Sequence, residues 1–203
     1  MTRTPELILA SGSPRRRVLL DQIGLRYRIR IPEVDESTVL NQNSKADPSE
    51  IIQCVAALKA RQVAFEEQKA LILSADTGVV APDGEILGQP RDATDAQTML
   101  KRLAGRTHYV VTGMVLYDVA RAAQAGRSVS TWVTMKPYDE RRINWYVASG
   151  EPFGKAGAYA IQGRGALFVE TISGSYSNVV GLALEELEDL FSRLGYSLFT
   201  YVL

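Results

Sequence analysis

Two spacings of apolar residues organise this chain. Leu7-Ile-Leu-Ala10 is an unbroken apolar run of strand length and reads as a buried strand. Ser11-Gly12-Ser13 follows as a tight small-residue turn. Pro14 suits the first position of a helix and Ser13 its N-cap. That helix carries Leu19, Leu20 and Ile23 inward and stops at Gly24. Tyr27, Ile29 and Ile31 alternate with Arg26, Arg28 and Arg30, which predicts a half-buried strand ended by Pro32. After a polar linker, Asp47-Pro-Ser-Glu50 opens a helix to about Glu67, with Ile51, Ile52, Val55, Leu58 and Val63 as its apolar positions.

A second apolar run, Leu71 to Val80, again has strand character but contains Asp76. Pro82-Asp-Gly84 signals a turn, and Thr94-Asp-Ala-Gln97 resembles a capping box ahead of the stripe Met99, Leu100, Leu103. Tyr109 to Val119 reads as a long strand, with Gly126 turning the chain into another from Ser128 to Met135. Asp139 to Ala148 reads as a helix ended by Gly150, followed by the glycine-rich segment Gly154 to Gly165. A strand at 167–172, a helix at 184–194 and a terminal strand at 197–203 complete the pattern. Interleaved strands and helices predict an α/β architecture whose sheet is partly antiparallel.

Composition narrows the function. There are 23 basic and 23 acidic residues, so the chain lacks the basic excess of a binder of polymeric nucleic acid or of a membrane surface. A small anion needs only local charge. At 203 residues the chain fits one large domain, spanning 1–203, or two small lobes. The single cysteine, Cys54, excludes an internal disulfide and sits in a helical pattern as a core residue. No apolar run at the start is long enough for a signal peptide or a membrane span, so a cytoplasmic protein is expected.

The first loop carries the clearest chemical signal. A strand, a glycine-containing turn and a helix N-terminus together aim backbone N–H groups at one spot. Arg15, Arg16 and Arg17 then add positive charge where the helix dipole is already positive, at a cost of roughly 0.3–1 kcal/mol each. An anion held there offsets that cost; a merely solvated basic turn is the other reading. Successive helical residues lie about 100° apart, so three arginines cannot all face one ligand, and Arg15 and Arg16 are the candidates.

Asp76 is the sharpest single residue, because a carboxylate in a buried run must be paired, hydrogen-bonded or metal-bound. It serves either as a structural acceptor at a strand end or, beside a polyanion, as a metal ligand or general base. Asp35 and Glu36 are either a solvated loop pair or, with Asp76, oxygen ligands for Mg²⁺ or Mn²⁺. Lys59, ringed by Ala56, Ala57 and Ala60, is a solvated helical lysine or a phosphate contact. Lys155, inside the glycine-rich segment, is the better phosphate candidate. His108, the only histidine, reads as a hydrogen-bonded structural residue.

Ala10-Ser-Gly-Ser-Pro-Arg-Arg16 before a leucine pair resembles the opening signature of the Maf family, the septum-formation-inhibitor-like nucleotide pyrophosphatases. Further blocks occur in that family's order: Asp35-Glu36, Ala57-Leu-Lys-Ala60, Ala75-Asp-Thr77, Asp83 to Gly88, Leu103 to His108, Gly154 to Gly163 and Ser173 to Leu182. The resemblance implies an elongated mixed sheet flanked by helices, in two lobes with a cleft between them, as in inosine triphosphatases. It implies hydrolysis of nucleoside triphosphates to the monophosphate and pyrophosphate, dependence on a divalent metal, and a possible homodimer. The catalytic aspartate falls on Asp76. Substrate-contacting positions fall on Ser11, Arg15, Arg16, Glu36, Lys59 and Lys155. Arg15, Thr77 and Gln162 match the dTTP/UTP branch, where a Gln amide and a Thr hydroxyl suit the donor and acceptor edge of a pyrimidine.

Two positions depart from that pattern. Gln89 stands where lysine is usual, which removes a positive charge facing the phosphates. Gly78 stands where a β-branched residue is usual, which is expected to loosen the strand behind Asp76. The family's aspartate is described as a proton acceptor; an ordinary Asp, with pKa about 3.9, is a weak base near neutrality. Metal ligation with Glu36, or orientation of the attacking water, is therefore the expected role of Asp76. Two alternatives to a pyrimidine pyrophosphatase stand beside it: a nucleotide-binding regulator of division or septation with weak turnover, and a purine house-cleaning enzyme of the inosine-triphosphatase type.

Overall fold

The computed structural model describes residues 4–34 and 46–202. The chain forms two compact units: Met1–Asp76 with Thr112–Val129 and Gly181–Leu203, and Thr77–Val111 with Ser130–Val180.

In the first unit, β1 (Glu6–Ala10), α1 (Pro14–Gln22), β2 (Arg28–Arg30), α2 (Pro48–Phe65) and β3 (Ala70–Val80, up to Asp76) follow in order. β1 pairs in parallel with β2 on one side and with β3 on the other, with Ala10 opposite Ser74. Leu7 to Ala10 and Ala70 to Leu73 are buried on both faces, which is why they are unbroken apolar runs rather than alternations. One face packs Ile8, Ala10 and Ile72 against Ala56, Ala60 and Val63 of α2. α2 also lies directly on Gly113, where a Cβ would come within 2.6 Å of the Gln53 Cα, so only glycine fits.

The second unit holds β4 (Ile86–Leu87), α3 (Ala93–Leu103), α4 (Glu140–Ala148), β7 (Val169–Ser173) and α5 (Tyr176–Val180). Its core joins Leu100, Leu103, Val133, Ile143 and Tyr146, with Tyr138 and Tyr146 on Phe168 at ring distances of 4.7 and 5.1 Å. The sheet runs β2-β1-β3-β5-β6-β7, where β5 is Thr107–Asp118 and β6 is Ala123–Met135, and β4 pairs with β3. A four-residue link joins β5 to β6, and a link that short between neighbouring strands makes an antiparallel hairpin. β6 and β7 are antiparallel as well. The architecture is thus mixed α/β, as predicted.

Several local expectations are corrected. Ile29 and Ile31 are 37% and 67% exposed, because β2 is a three-residue strand at the sheet edge. Cys54 is exposed, not core, because the buried face of α2 runs through Ile52, Val55, Ala56, Lys59, Ala60 and Val63 and position 54 falls off it. The α3 cap is Asp92, whose carboxylate accepts from the Asp95 N–H at 2.8 Å, two residues ahead of the Thr94 start read from sequence. The hairpin turns at 119–122, not at Gly126, which lies inside β6 against the Gln53 side chain. The last helix divides into a 3-10 turn, Leu184–Glu186, and α6 (Leu187–Ser192). The chain end is a 3-10 turn, Leu198–Tyr201, with one bridge from Val202 to Leu25, rather than a strand.

Candidate active site

In the first unit β1 lies between β2 and β3. From β1 the chain crosses to one side to form β2, then returns past β1 to form β3 on the other. Open parallel sheets bind ligands at the carboxyl ends of their strands, and β1 ends at Ala10. The Ser11-Gly-Ser13 turn leaves β1 at that end, and Asp76 lies two residues past the Ala10–Ser74 register pair. Two sequence candidates far apart along the chain are therefore brought together beside the carboxyl end of β1.

The turn is closed by its own side chain. Ser11 Oγ accepts from the Ser13 N–H at 3.2 Å and from an Arg16 guanidinium nitrogen at 3.0 Å. Ser13 occupies the N-cap position, but its hydroxyl makes no capping bond. The arginines divide as their spacing requires. Arg16 is buried and also donates through Nε to the Gly181 carbonyl at 2.8 Å. Arg15 is half-buried, and Arg17 folds back to donate to the Gly12 carbonyl at 3.1 Å. Arg16 thus both builds the loop and places a positive charge beneath it.

Asp76 is buried and is held by Lys59, whose Nζ donates to Oδ1 at 2.6 Å. Lys59 is buried too, on the inner face of α2 and flanked there by Ala56 and Ala60. Ser74 donates from Oγ to the Ala56 carbonyl at 2.7 Å, which pins α2 to β3 and fixes the distance between ammonium and carboxylate. Sequence reasoning named both residues and missed that they are partners. The signal was present: a carboxylate in a buried run demands a cation, and Lys59 falls on the same helical stripe as Val55, Val63 and Ala60.

The remaining candidates belong to the second unit. Thr77 follows Asp76 in β3 and is half-buried; Gly78 is buried and does not interrupt the strand, contrary to the loosening expected of it. Gln89 is exposed, and the Gly88 carbonyl before it accepts from the Gly157 N–H at 3.0 Å. Lys155 is half-buried and donates from Nζ to the Phe153 carbonyl at 3.3 Å. Gln162 is half-buried at the start of a 3-10 turn, Gly163–Phe168.

Buried groups hold this glycine-rich segment. His108 is fully buried, and its Nε2 shares a 2.8 Å hydrogen bond with the Tyr159 hydroxyl. Burial pushes the imidazole down to about 4, so it is neutral at physiological pH. The structural role read for His108 is therefore correct. Glu151, which sequence reasoning overlooked, accepts from the Arg164 and Gly165 N–H groups and from the Tyr146 hydroxyl. Burial raises its carboxyl, but those donors and the Lys155 charge outweigh it and hold the group below the usual carboxylate range.

Among the described residues no cluster of three or more His, Cys, Asp or Glu side chains is placed to hold an ion alone. Asp35 and Glu36 lie outside the described residues. A lone buried carboxylate such as Asp76 fits Mg²⁺ or Mn²⁺ in the manner where substrate phosphates supply the other ligands. No described helix is long and apolar enough to cross a membrane.

The sequence profile of the Maf-like protein family matches residues 6–194. A dTTP/UTP pyrophosphatase of Dictyoglomus turgidum is 45% identical over 193 residues, 95% of this chain and 98% of that protein. One from Symbiobacterium thermophilum is 44% identical, covering 96% and 97%. One from an Anaeromyxobacter species is 47% identical, covering 95% and 91%. A profile match over nearly the whole length, with relatives this similar, places the chain in a family: it belongs to the Maf family.

Proposed function

We propose that this protein hydrolyses nucleoside triphosphates of the dTTP/UTP kind to the monophosphate and pyrophosphate. The observation that carries the reading is the buried Lys59–Asp76 pair, with Asp76 in β3 two residues past the register partner of Ala10, beside the carboxyl end of β1 from which the Ser11 turn and the Arg16 charge arise. The similarity to dTTP/UTP pyrophosphatases supports the reaction and the pyrimidine preference.

In this reading Arg15, Arg16 and Lys59 bind the triphosphate, with Ser11 and Lys155 as further contacts. Asp76 accepts a hydrogen bond from the attacking water and aims it at the α-phosphorus. Asp76 and Glu36 are the residues that would hold a Mg²⁺ or Mn²⁺, which would supply charge neutralisation of the phosphates. Lys59 pairs with Asp76 and is a further positive charge for the leaving pyrophosphate. Arg15, Thr77 and Gln162 read the base. The protein acts in the cytoplasm.

A second reading rests on Gln89, which replaces a positive charge with a neutral amide. A weakly turning-over nucleotide-binding regulator would need the ligand's grip but not the full transition-state charge. One screen separates the readings: pyrophosphate release from dTTP, UTP, CTP, GTP and ITP, with and without Mg²⁺ and Mn²⁺. Metal-dependent release strongest with dTTP and UTP is the expected result. Binding without release favours the regulator, and release strongest with ITP overturns the pyrimidine assignment.

A further inference from the structure

Gln162 sits where a helical turn begins, a position usually filled by a side chain that caps the turn. Its own side chain makes no capping bond, and its amide has no hydrogen-bond partner among the described residues. The capping is done from elsewhere. Glu151 Oε2 accepts from the Arg164 N–H at 3.0 Å, and Oε1 accepts from the Gly165 N–H at 2.9 Å. Those are the first-turn donors that a residue at position 162 would otherwise serve.

The other side of Gln162 is tied to the same carboxylate. The Tyr146 hydroxyl donates to Glu151 Oε1 at 3.0 Å and accepts from the Ala160 N–H at 3.2 Å. So the backbone two residues before Gln162 and two residues after it is fixed by one Tyr–Glu couple. Tyr146 is fully buried on α4, which makes the couple rigid. The fit leaves no slack. A Cβ at Gly163, where φ is +76°, would lie 2.8 Å from Glu151 Oε2, and one at Gly165 would lie 2.2 Å from the Ala160 carbonyl oxygen.

We infer that Glu151, through Tyr146 and the 160–165 backbone, is a positioning residue for base recognition: it caps the turn in place of Gln162 and so leaves the Gln162 amide to a pyrimidine edge. The inference rests on the base-reading role proposed above for Gln162. It explains why a half-buried carboxylate stands against the glycines at 163 and 165. Its two oxygens match donors on two sides of the segment, whereas a carboxamide would turn an NH₂ group toward one of those N–H groups.

The test compares Glu151→Gln, Gln162→Ala and the double variant, with steady-state hydrolysis of dTTP and dCTP. For Glu151→Gln, KM for dTTP rises about tenfold while kcat stays within about threefold, and the dTTP/dCTP preference falls to that of Gln162→Ala. The double variant is no worse than Gln162→Ala, because the two act through one interaction. Tyr146→Phe, which removes only the hydroxyl, moves the preference the same way and serves if Glu151→Gln does not fold. A purely structural role lowers the active fraction and leaves the base preference untouched; that result, in either variant, overturns the inference while the hydrolase reading stands. Absence of pyrophosphate release from every nucleotide by the unsubstituted protein instead defeats the hydrolase reading, and the inference with it.

Discussion

The strand ends of the first unit and the glycine-rich segment of the second hold their polar groups in opposite ways. Around β1 and β3, charge is set directly by charge and by regular structure: Lys59 on Asp76, and Arg16 on a loop that Ser11 closes. Around residues 154–165, the side chains expected to meet a ligand stand on irregular backbone, and other side chains hold that backbone: buried His108 under Tyr159, and buried Tyr146 with half-buried Glu151 astride Gln162. The difference matches the tasks. A triphosphate is a large charge that tolerates small displacements, whereas telling one base from another depends on where a single amide points.

That contrast predicts a graded set of responses. The largest effect on stability is expected from Lys59→Met, which strands the Asp76 carboxylate in a buried site. About 3–5 kcal/mol should be lost, read as the shift in urea midpoint. A loss below about 1 kcal/mol would mean that the pair is not the keystone of the first region.

The second region should instead reveal itself by pH. His108 has an ordinary value of 6.5 and is held at about 4 when folded, so the unfolded chain takes up the proton first. Stability is therefore full above 6.5 and falls as pH drops toward 4, by on the order of 3 kcal/mol. His108→Gln should flatten that part of the profile, as measured by denaturation across pH 4–7.

Gln89→Lys asks whether a charge can be returned to the phosphates. A charge-assisted contact of about 1.5–3 kcal/mol would raise kcat/KM roughly ten- to a hundredfold. No gain would mean that position 89 does not face the transition state. The smallest effect belongs to Asp92→Ala, which removes only the helix cap whose carboxylate accepts from the Asp95 N–H. It should cost about 1 kcal/mol of stability and leave base preference unchanged.

How much of this was legible in the sequence follows from how each residue is held. Asp76 was legible because a carboxylate inside an apolar strand is anomalous on its face. The loop from Ser11 to Arg16 was legible because turn, proline and arginines are contiguous. The Lys59–Asp76 partnership was not, since it depends on how α2 lies on β3, although the helical stripe that buries Lys59 was there to be counted. Glu151 was invisible: it stands in a loop between Gly150 and Pro152, and its partners are backbone groups and a tyrosine that periodicity cannot aim. The α3 cap was misplaced by two residues because Asp92 and Thr94 are both good capping residues and only geometry chooses. Cys54 was misread because composition, not its angle on the helix, was used to place it. Gly126 was read as a turn, but it is a strand residue lying against Gln53.

The central claim is that the acid in β3 acts on the water that attacks the nucleotide. Pyrophosphate release from dTTP by Asp76→Asn, at saturating Mg²⁺ and with folding verified by circular dichroism, tests it most directly. The account predicts a fall in kcat of about a hundred- to ten-thousandfold; a folded Asp76→Asn protein that turns over dTTP at close to the original rate would contradict it.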